Sequence, residues 1–528
     1  MGIRSRVADG RRRLRAGAVR RLSVDPRALV ALRVSLGALI LADLCLRARS
    51  LRFFYTDAGA LPRATLAERF PAAARVSVYT LFGGEWWAAT LFVLTAVAAC
   101  ALLAGYRPRV AAVCSLVLLV ALHARNPLVL NGGDSLLRRT LVWSTFLPLG
   151  AGLSSGTATS TASDGAGDRA CRHPAAVGLL LQPVVLYTVN AAVKLRGDAW
   201  PEGRAVPMVF SLDSFTVLVG ERLAGYPTLL AALGVAWLTL LCCSPALVLA
   251  TGRTRAAVVA VFATAHVGMA LTLGVGLFPL VSVAALLPHL PPSVWDAVGP
   301  RWNRTVATLR GAAGRFRSRA RRTVSRGVDA VGRDRRPSGV RRARAAAHRV
   351  REAAGGAARA GNASLASAGR IVAAALLVGV LVWNGAALGY VDAPEVEVAG
   401  VAPQDARWDM FAPSPPTEDV WYVAVGETEA DDRVEAIRGG DVEWTRSGGA
   451  WTSYPSARWR KYLEAVRWGD DRRLRERFAA ALCDRWDATH AGDLDRLTVY
   501  TLTEPTRLDR PESTTRTAVR THDCSRPR

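Results

Sequence analysis

Long apolar runs, separated by short polar connections, recur along the first 390 residues of the chain. Each run holds roughly 20 residues, which is the length an α-helix needs to cross a bilayer. No comparable run follows Val391. The predicted fold class is an all-α polytopic transmembrane bundle of about nine spans, followed by a small α+β extramembrane domain. The predicted spans are 28–46, 86–105, 108–124, 136–152, 174–193, 226–250, 255–272, 274–290 and 370–390.

The pattern changes in the last 138 residues, where strand-like and helix-like segments replace the long apolar runs. Val420–Gly426 and Leu497–Thr503 are short β-rich segments typical of strands. Residues 456–487 have helical spacing of apolar positions, with charges on the other faces. Those apolar positions are Trp459, Leu463, Val466, Leu474, Phe478 and Leu482.

Arginine placement gives these spans a predicted orientation. The net charge is +25, and residues 301–352 alone carry seventeen arginines against three acidic residues. Basic residues concentrate in cytoplasmic loops and face anionic lipid there, so membrane lipid is a predicted partner and nucleic acid is not. An N-terminus inside places the basic connections 105–109, 251–255 and 301–352 on that same side. We therefore expect a multi-pass cell-membrane protein whose C-terminal domain is extracytoplasmic.

The predicted division of the chain follows from these spans and charges. Residues 151–169 are small and polar and predict a flexible cytoplasmic loop. The arginine-rich segment is either an interfacial helix or a solvated basic loop. The divisions are a basic cytoplasmic leader at 1–27, the transmembrane domain at 28–295, the arginine-rich loop at 296–369, a final helix at 370–390 and the extracytoplasmic domain at 391–528.

The eight cysteines include no CxxC pair, and we predict no metal site. Cys483 and Cys524 both lie in the C-terminal domain. If that domain is extracytoplasmic, the two could form a disulfide.

Lysine is rare in this arginine-rich chain, where only Lys194 and Lys461 occur. Lys194 ends the fifth predicted span. Its side chain either snorkels to the interface or is desolvated and acts as a base, which arginine cannot do.

Two other polar features near the spans leave alternatives open. The connection from His123 to Asp134 is either a simple solvated loop or a polar lid above a cavity between the spans. His266, inside the seventh span, is either a core histidine bonded to a neighbour or a catalytic one.

At five segments the chain resembles the vitamin K-dependent gamma-carboxylase-like family, which carries the HTTM membrane domain. The resemblance covers residues 26–295 and 400–430, and the order and spacing of the segments make it specific. The segments are FFYTDAG at 53–59, HARNPLVLNGGD at 123–134, YTVNAAVKLRGDAWPEGRA at 187–205, AHVGMALTLGVGLFPLVSVAALLPHLPPSVW at 265–295 and RWDMFAPSP at 407–415.

The resemblance implies carboxylation of a protein glutamate, coupled to oxygenation of a reduced quinone of the vitamin K or menaquinone type. Oxygen and carbon dioxide are the co-substrates, and the partner is an extracytoplasmic protein or peptide. Lys194 matches the family's base, although the animal motif has two adjacent lysines, and His266 matches a family histidine. The implied quinone- and substrate-binding residues are His123, Arg125, Asn126, Asp134, Trp200 and Glu202.

Two other functional classes compete with this interpretation. A non-enzymatic membrane scaffold, or a lipid- or quinone-binding protein, is the alternative. Transport is disfavoured because the sequence has no repeated halves.

Overall fold

The computed structural model describes residue 12 and residues 16–150, 171–299, 367–386, 410–445, 454–468, 471–490, 492–506 and 513–525. Within these ranges the chain is mostly helical. Six helices are long and apolar enough to cross a membrane: Pro26–Ala48, Glu85–Ala104, Pro108–Arg125, Pro174–Lys194, Gly252–Thr272 and Ser367–Ala386. Each corresponds to a predicted span, so the prediction of an apolar helical bundle is confirmed. The arginine-rich segment 301–352 and the loop 151–169 lie outside the described residues.

The predicted span 136–152 forms a shorter helix, Gly132–Thr145, of 14 residues. Asp134, Arg138 and Arg139 lie within its first eight residues, so the helix is amphipathic rather than apolar throughout. A capping box starts it, because the Asn131 side chain accepts from the Asp134 amide and the Asp134 side chain accepts from the Asn131 amide.

Two further predicted spans are interrupted. Pro227–Cys242 is apolar but only 16 residues long, and the short helix Ala246–Leu249 follows it after a break at Pro245. Phe278–His289 and Pro292–Gly299 meet at an angle of 103°. The prolines at 288, 291 and 292 explain that bend, since proline lacks the amide that continues a helix. The bent pair raises the count to at most seven, and the nine-span count is not confirmed.

Short helices connect the spans on the side that faces the C-terminal domain. They include Leu51–Tyr55, Arg63–Arg69, Pro71–Val76, Ala205–Ser211 and Val219–Leu223, with single 3-10 turns at Val78–Thr80 and Pro127–Val129. A third 3-10 turn, Leu287–His289, lies at the opposite end of the bundle, near the start of the first span, where Arg27 donates to the Pro292 carbonyl.

The C-terminal domain, residues 410–525, combines two helices with a four-stranded antiparallel sheet. The strands are β1 (Glu418–Thr428), β2 (Arg433–Glu435), β3 (Leu494–Pro505) and β4 (Thr515–Asp523), in the spatial order β2-β1-β3-β4. The helices are Ala457–Trp468 and Arg472–Asp487. The α+β prediction is confirmed, and all six apolar helix positions predicted from the sequence are buried.

The domain packs on the bundle through aromatic rings. Phe53, just after the first span, stacks on Trp459 with ring centroids 4.4 Å apart. Trp459 also donates from Nε1 to the Ser50 hydroxyl at 3.2 Å. Tyr462 and Phe478 contact the same Phe53 ring edge-on. Because each aromatic ring buries a large apolar area, these rings fix the domain against the bundle.

Cys483 and Cys524 form a disulfide that joins the second domain helix to the segment after β4. Their sequence separation is 41 residues. A crosslink over a loop of this length removes substantial entropy from the unfolded chain.

Replacing both cysteines with serine should therefore lower the free energy of unfolding of the domain by roughly 2–4 kcal/mol. Denaturant unfolding in detergent, followed by tryptophan fluorescence, measures the change. Cys242→Ser, at an exposed free cysteine, is the matched control. Equal stability of oxidised and reduced wild-type protein would contradict a stabilising crosslink.

Candidate functional site

A buried network of charged side chains joins three parts of the chain at the end of the first span. Arg47 is completely buried and donates from Nε to Asp43 at 2.7 Å and from Nη1 to the Tyr55 hydroxyl at 2.7 Å. Its Nη2 donates to Asp134 at 2.7 Å. Asp43 and Arg47 are four residues apart on one helix, so their side chains lie on the same face.

Arg458 from the C-terminal domain completes this network. Its guanidinium donates to both oxygens of Asp134 at 3.1 Å, to the Val129 carbonyl at 3.0 Å, and to Asp43. Two carboxylates therefore face two guanidinium groups away from water. Ions buried this deeply are stable only when they are fully paired and hydrogen-bonded.

His123 lies between two guanidinium groups at the edge of the network. Its Nδ1 is 2.8 Å from Arg138 Nη1, and its Nε2 is 2.9 Å from Arg47 Nη2 and 3.5 Å from Asp134. In the tautomer protonated at Nε2, the ring accepts from Arg138 and faces Asp134.

His123, Asp43 and Asp134 have the spacing of a metal site, with one ligand-type atom from each lying within 4.8 Å of the others. In the structure, Arg47 and Arg458 already donate to the carboxylate oxygens of Asp43 and Asp134 that a metal ion would need. These residues therefore serve as hydrogen-bond and ion-pair partners of arginine.

Arg125 and Asn126 hold the segment after the first span in place. Arg125 donates to the Leu61 carbonyl at 2.7 Å, and Asn126 donates to the Phe54 carbonyl at 3.0 Å. Both side chains are fully buried. The hydrogen bonds that they donate go to backbone carbonyls, which is the pattern of residues that position a loop, and Arg125 Nη2 also lies 3.7 Å from Asp57.

A cavity of about 1020 Å³ lies between the bundle and the C-terminal domain. Its bundle side comes from the helix Gly132–Thr145 and from residues near 214 and 275–278, and its domain side from residues 410–422 and 454–467. The wall mixes apolar side chains such as Phe215, Val275 and Phe278 with charged ones. A space of this size accommodates a small organic ligand.

Two tyrosines of the cavity wall use their hydroxyl groups within the domain. Tyr422 donates to the Leu463 carbonyl at 2.7 Å, and Tyr454 donates to the Val420 carbonyl. Burial raises the pKa of both phenols above the usual range. Both tyrosines therefore stay neutral at physiological pH.

Lys194 lies directly behind the cavity wall. It is 2% exposed, and its Nζ donates to the Met410 carbonyl at 3.0 Å and the Phe411 carbonyl at 3.4 Å. Nζ is 3.4 Å from the centre of the Trp200 ring, a cation–π contact, and Trp200 donates from Nε1 to Phe411 at 2.7 Å. No carboxylate of the described residues pairs with Lys194. Nζ is therefore removed from bulk water and held by two carbonyl oxygens and one aromatic ring.

His266 lies in a separate aromatic cluster behind the same cavity. Its Nε2 is 2.7 Å from the Tyr187 hydroxyl, the Tyr187 ring stacks on the imidazole, and Trp237 and Phe278 contact it edge-on. Its Nδ1 is buried and has no hydrogen-bond partner among the described residues. Phe278 separates His266 from the cavity, because that ring lines the wall.

Glu202 is the one predicted binding residue on the outer surface. Its side chain is 53% exposed and accepts from Arg204 Nε at 2.6 Å.

None of the eight residues predicted from the sequence lines the cavity. His123 and Asp134 join the buried network, Lys194 and Trp200 support residues 410–411, and the others lie further from the cavity.

The cavity wall itself comes largely from residues that the sequence did not single out. Arg460, Phe215 and Phe411 are the main examples. Phe411 belongs to the RWDMFAPSP segment, so the family resemblance could have indicated it as a site residue. Nothing in the sequence distinguishes Arg460, because it lies in a helix with charges on several faces.

Comparison with known proteins identifies no relative. No family model, curated protein or solved structure matches the chain.

Proposed function

We propose that this protein is an integral membrane enzyme that oxygenates a reduced quinone and couples that oxidation to carboxylation of a protein glutamate. The observation that carries the proposal is Lys194, enclosed at the end of a candidate span behind a cavity of about 1020 Å³. A desolvated lysine can serve as a general base.

The reaction balances without a metal. Hydroquinone and oxygen give the quinone epoxide and water, and the glutamyl γ-carbon exchanges one proton for carbon dioxide. Lys194 would take the hydroquinone proton at Nζ, and the reduced quinone, when bound, would supply the oxidation that drives removal of the γ-proton. The Met410 and Phe411 carbonyls accept from the amine and from the ammonium alike, so they hold Nζ in place through the proton transfer.

The packing of the resembling segments supports this proposal. Phe53 from the first segment stacks on Trp459, and Asp134 from the second pairs with Arg458. Lys194 from the third bonds Met410 and Phe411 from the last. Segments far apart in sequence thus meet at the boundary between bundle and domain, where the cavity lies.

The proposal includes a cell-membrane location with a cytoplasmic N-terminus and an extracytoplasmic C-terminal domain. The described residues give six candidate spans, or seven if the bent pair counts as one, and an odd number of spans puts the two ends on opposite sides. The Cys483–Cys524 disulfide supports an oxidising compartment for the domain.

The alternative function is a non-enzymatic scaffold, or a lipid- or quinone-binding protein. One observation favours it: Lys194 Nζ donates to two backbone carbonyls, and its side chain does not line the cavity. In that case Lys194 has a purely structural role, which is to hold the backbone of residues 410–411 in place.

A turnover assay separates these functions. The full chain in lipid nanodiscs would receive reduced menaquinone, oxygen, ¹³C-bicarbonate and a glutamate-containing peptide. The proposal expects quinone epoxide and ¹³C in the peptide, both dependent on oxygen. Formation of the epoxide without labelled peptide would restrict the activity to oxygenation of the quinone. Absence of both products would favour the non-enzymatic alternative.

A further inference from the structure

The cavity between bundle and domain has an excess of positive charge. Five cationic side chains line it against two acidic ones, which leaves three positive charges in excess. The cations are Arg138, Arg139, Arg460, Lys461 and Arg467, and the acids are Glu418 and Glu464.

The two acidic side chains already have partners. Lys461 contacts Glu464 at 2.7 Å, and Arg467 contacts Glu418 at 2.9 Å. The excess charge therefore rests on the three remaining arginines. Arg138 donates to His123 and to Ser135, and Arg139 has no ion pair or hydrogen bond with any residue in the described ranges.

Arg460 is held rigidly at this wall. It donates to the Ser214 carbonyl at 2.9 Å and to the Gly274 carbonyl at 3.0 Å, and its guanidinium lies 3.9 Å from the centre of the Phe215 ring. The residue is 6% exposed, and its buried Nε has no hydrogen-bond partner among the residues described. Its closest acid, Glu464, is 3.7 Å away, beyond hydrogen-bond distance.

An arginine whose charge is fixed at a cavity wall favours an anionic group there. Apolar side chains share the same wall, chiefly Phe215, Val275, Phe278 and Met410. The ligand that fits both features has an acidic head and an apolar body.

We propose that this cavity binds an amphiphilic anion, with its carboxylate or phosphate head at Arg139 and Arg460 and its apolar body against Phe215, Val275 and Phe278. The inference does not depend on quinone chemistry. The same head-group chemistry occurs in a membrane phospholipid and in a free fatty acid, and the experiment distinguishes these sources.

Binding to the detergent-purified full chain would be measured by native mass spectrometry and by tryptophan fluorescence. The probes are dodecanoate, phosphatidylglycerol and, as the neutral comparison, phosphatidylcholine. We expect one of the two anionic probes to bind at a single site, with phosphatidylcholine at least tenfold weaker. Binding of dodecanoate alone points to a free acid, and binding of phosphatidylglycerol alone points to the bilayer.

Arg139→Gln should weaken binding of the anionic probe by about tenfold, the typical effect of losing one charge-assisted hydrogen bond. Arg139 has no partner within the described chain, so the variant should fold normally, and Arg139→Lys should recover part of the affinity. Arg433→Gln, on β2 and away from the cavity, removes an equal charge as the control and should bind like wild type.

Two results would overturn the proposal. One is equal binding of phosphatidylcholine and the anionic probes. The other is binding of a glutamate-containing peptide that depends on Arg139 while neither anionic amphiphile binds, which would make the cavity a peptide site.

Discussion

Substituting Lys194 with methionine should lower the rate of quinone epoxide formation by about 100-fold or more, because general-base catalysis typically contributes 10²–10⁴-fold. Methionine has a similar length and keeps the buried volume filled, but it has no amine to receive the hydroquinone proton. Epoxide formation in nanodiscs, measured by chromatography under saturating oxygen, gives the rate.

Lys194→Arg separates catalysis from support of the 410–411 turn. Arginine can still donate to the Met410 and Phe411 carbonyls, but it stays protonated and cannot act as a base. We therefore expect Lys194→Arg to be as inactive as Lys194→Met. Arg472→Met, at a side chain 80% exposed on the domain, should retain full activity. Substantial turnover by Lys194→Arg would exclude Lys194 as the base and leave it a positioning residue.

Replacing Asp134 with asparagine should destabilise the protein by roughly 3–5 kcal/mol, the usual cost of removing one partner from a buried ion pair. Asn keeps the shape and can still cap the helix at Asn131. However, Arg47 and Arg458 would then share only Asp43, and Arg47 is completely buried. Thermal unfolding in detergent, followed by tryptophan fluorescence, measures the loss.

The matched control for Asp134 is Glu68→Gln. Glu68 pairs with Arg473 at 2.9 Å between bundle and domain, as Asp134 pairs with Arg458, but at an exposed position. Water screens such a pair, so its loss should leave the unfolding midpoint unchanged. If the two substitutions shift the midpoint equally, the burial of the network has no special energetic role.

The spans that the sequence predicted correctly are helices of at least 18 residues that contain a long stretch with few charged side chains. Glu85–Ala104 is an example, since only its first residue is charged. The prediction at 136–152 relied on average apolarity. Arg138 and Arg139 make that helix amphipathic. The bend after His289 depends on three closely spaced prolines and on tertiary packing, and a hydropathy window detects neither.

The candidate site was predictable only in part, for a related reason. Lys194 was noticeable because lysine is nearly absent from the chain. The motif that contains it lies at the boundary between the bundle and the C-terminal domain. Arg458 was not noticeable, because it is one arginine among many and lies 324 residues from Asp134. Sequence pattern reports local periodicity, whereas the buried network depends on side chains that meet only in the folded molecule.

The contact of Arg458 with Asp43 and Asp134 also constrains the order in which the protein matures. Both carboxylates are synthesised early, before Gly252–Thr272 and Ser367–Ala386 have left the ribosome, whereas the guanidinium that balances them emerges after every candidate span. Until the domain folds, the inserted bundle holds two acids against Arg47 alone. The newly made bundle thus has two buried carboxylates and lacks the second guanidinium group that balances them. Docking of the domain supplies that group. A chain truncated before residue 454 would lack Arg458 and would keep this imbalance of charge.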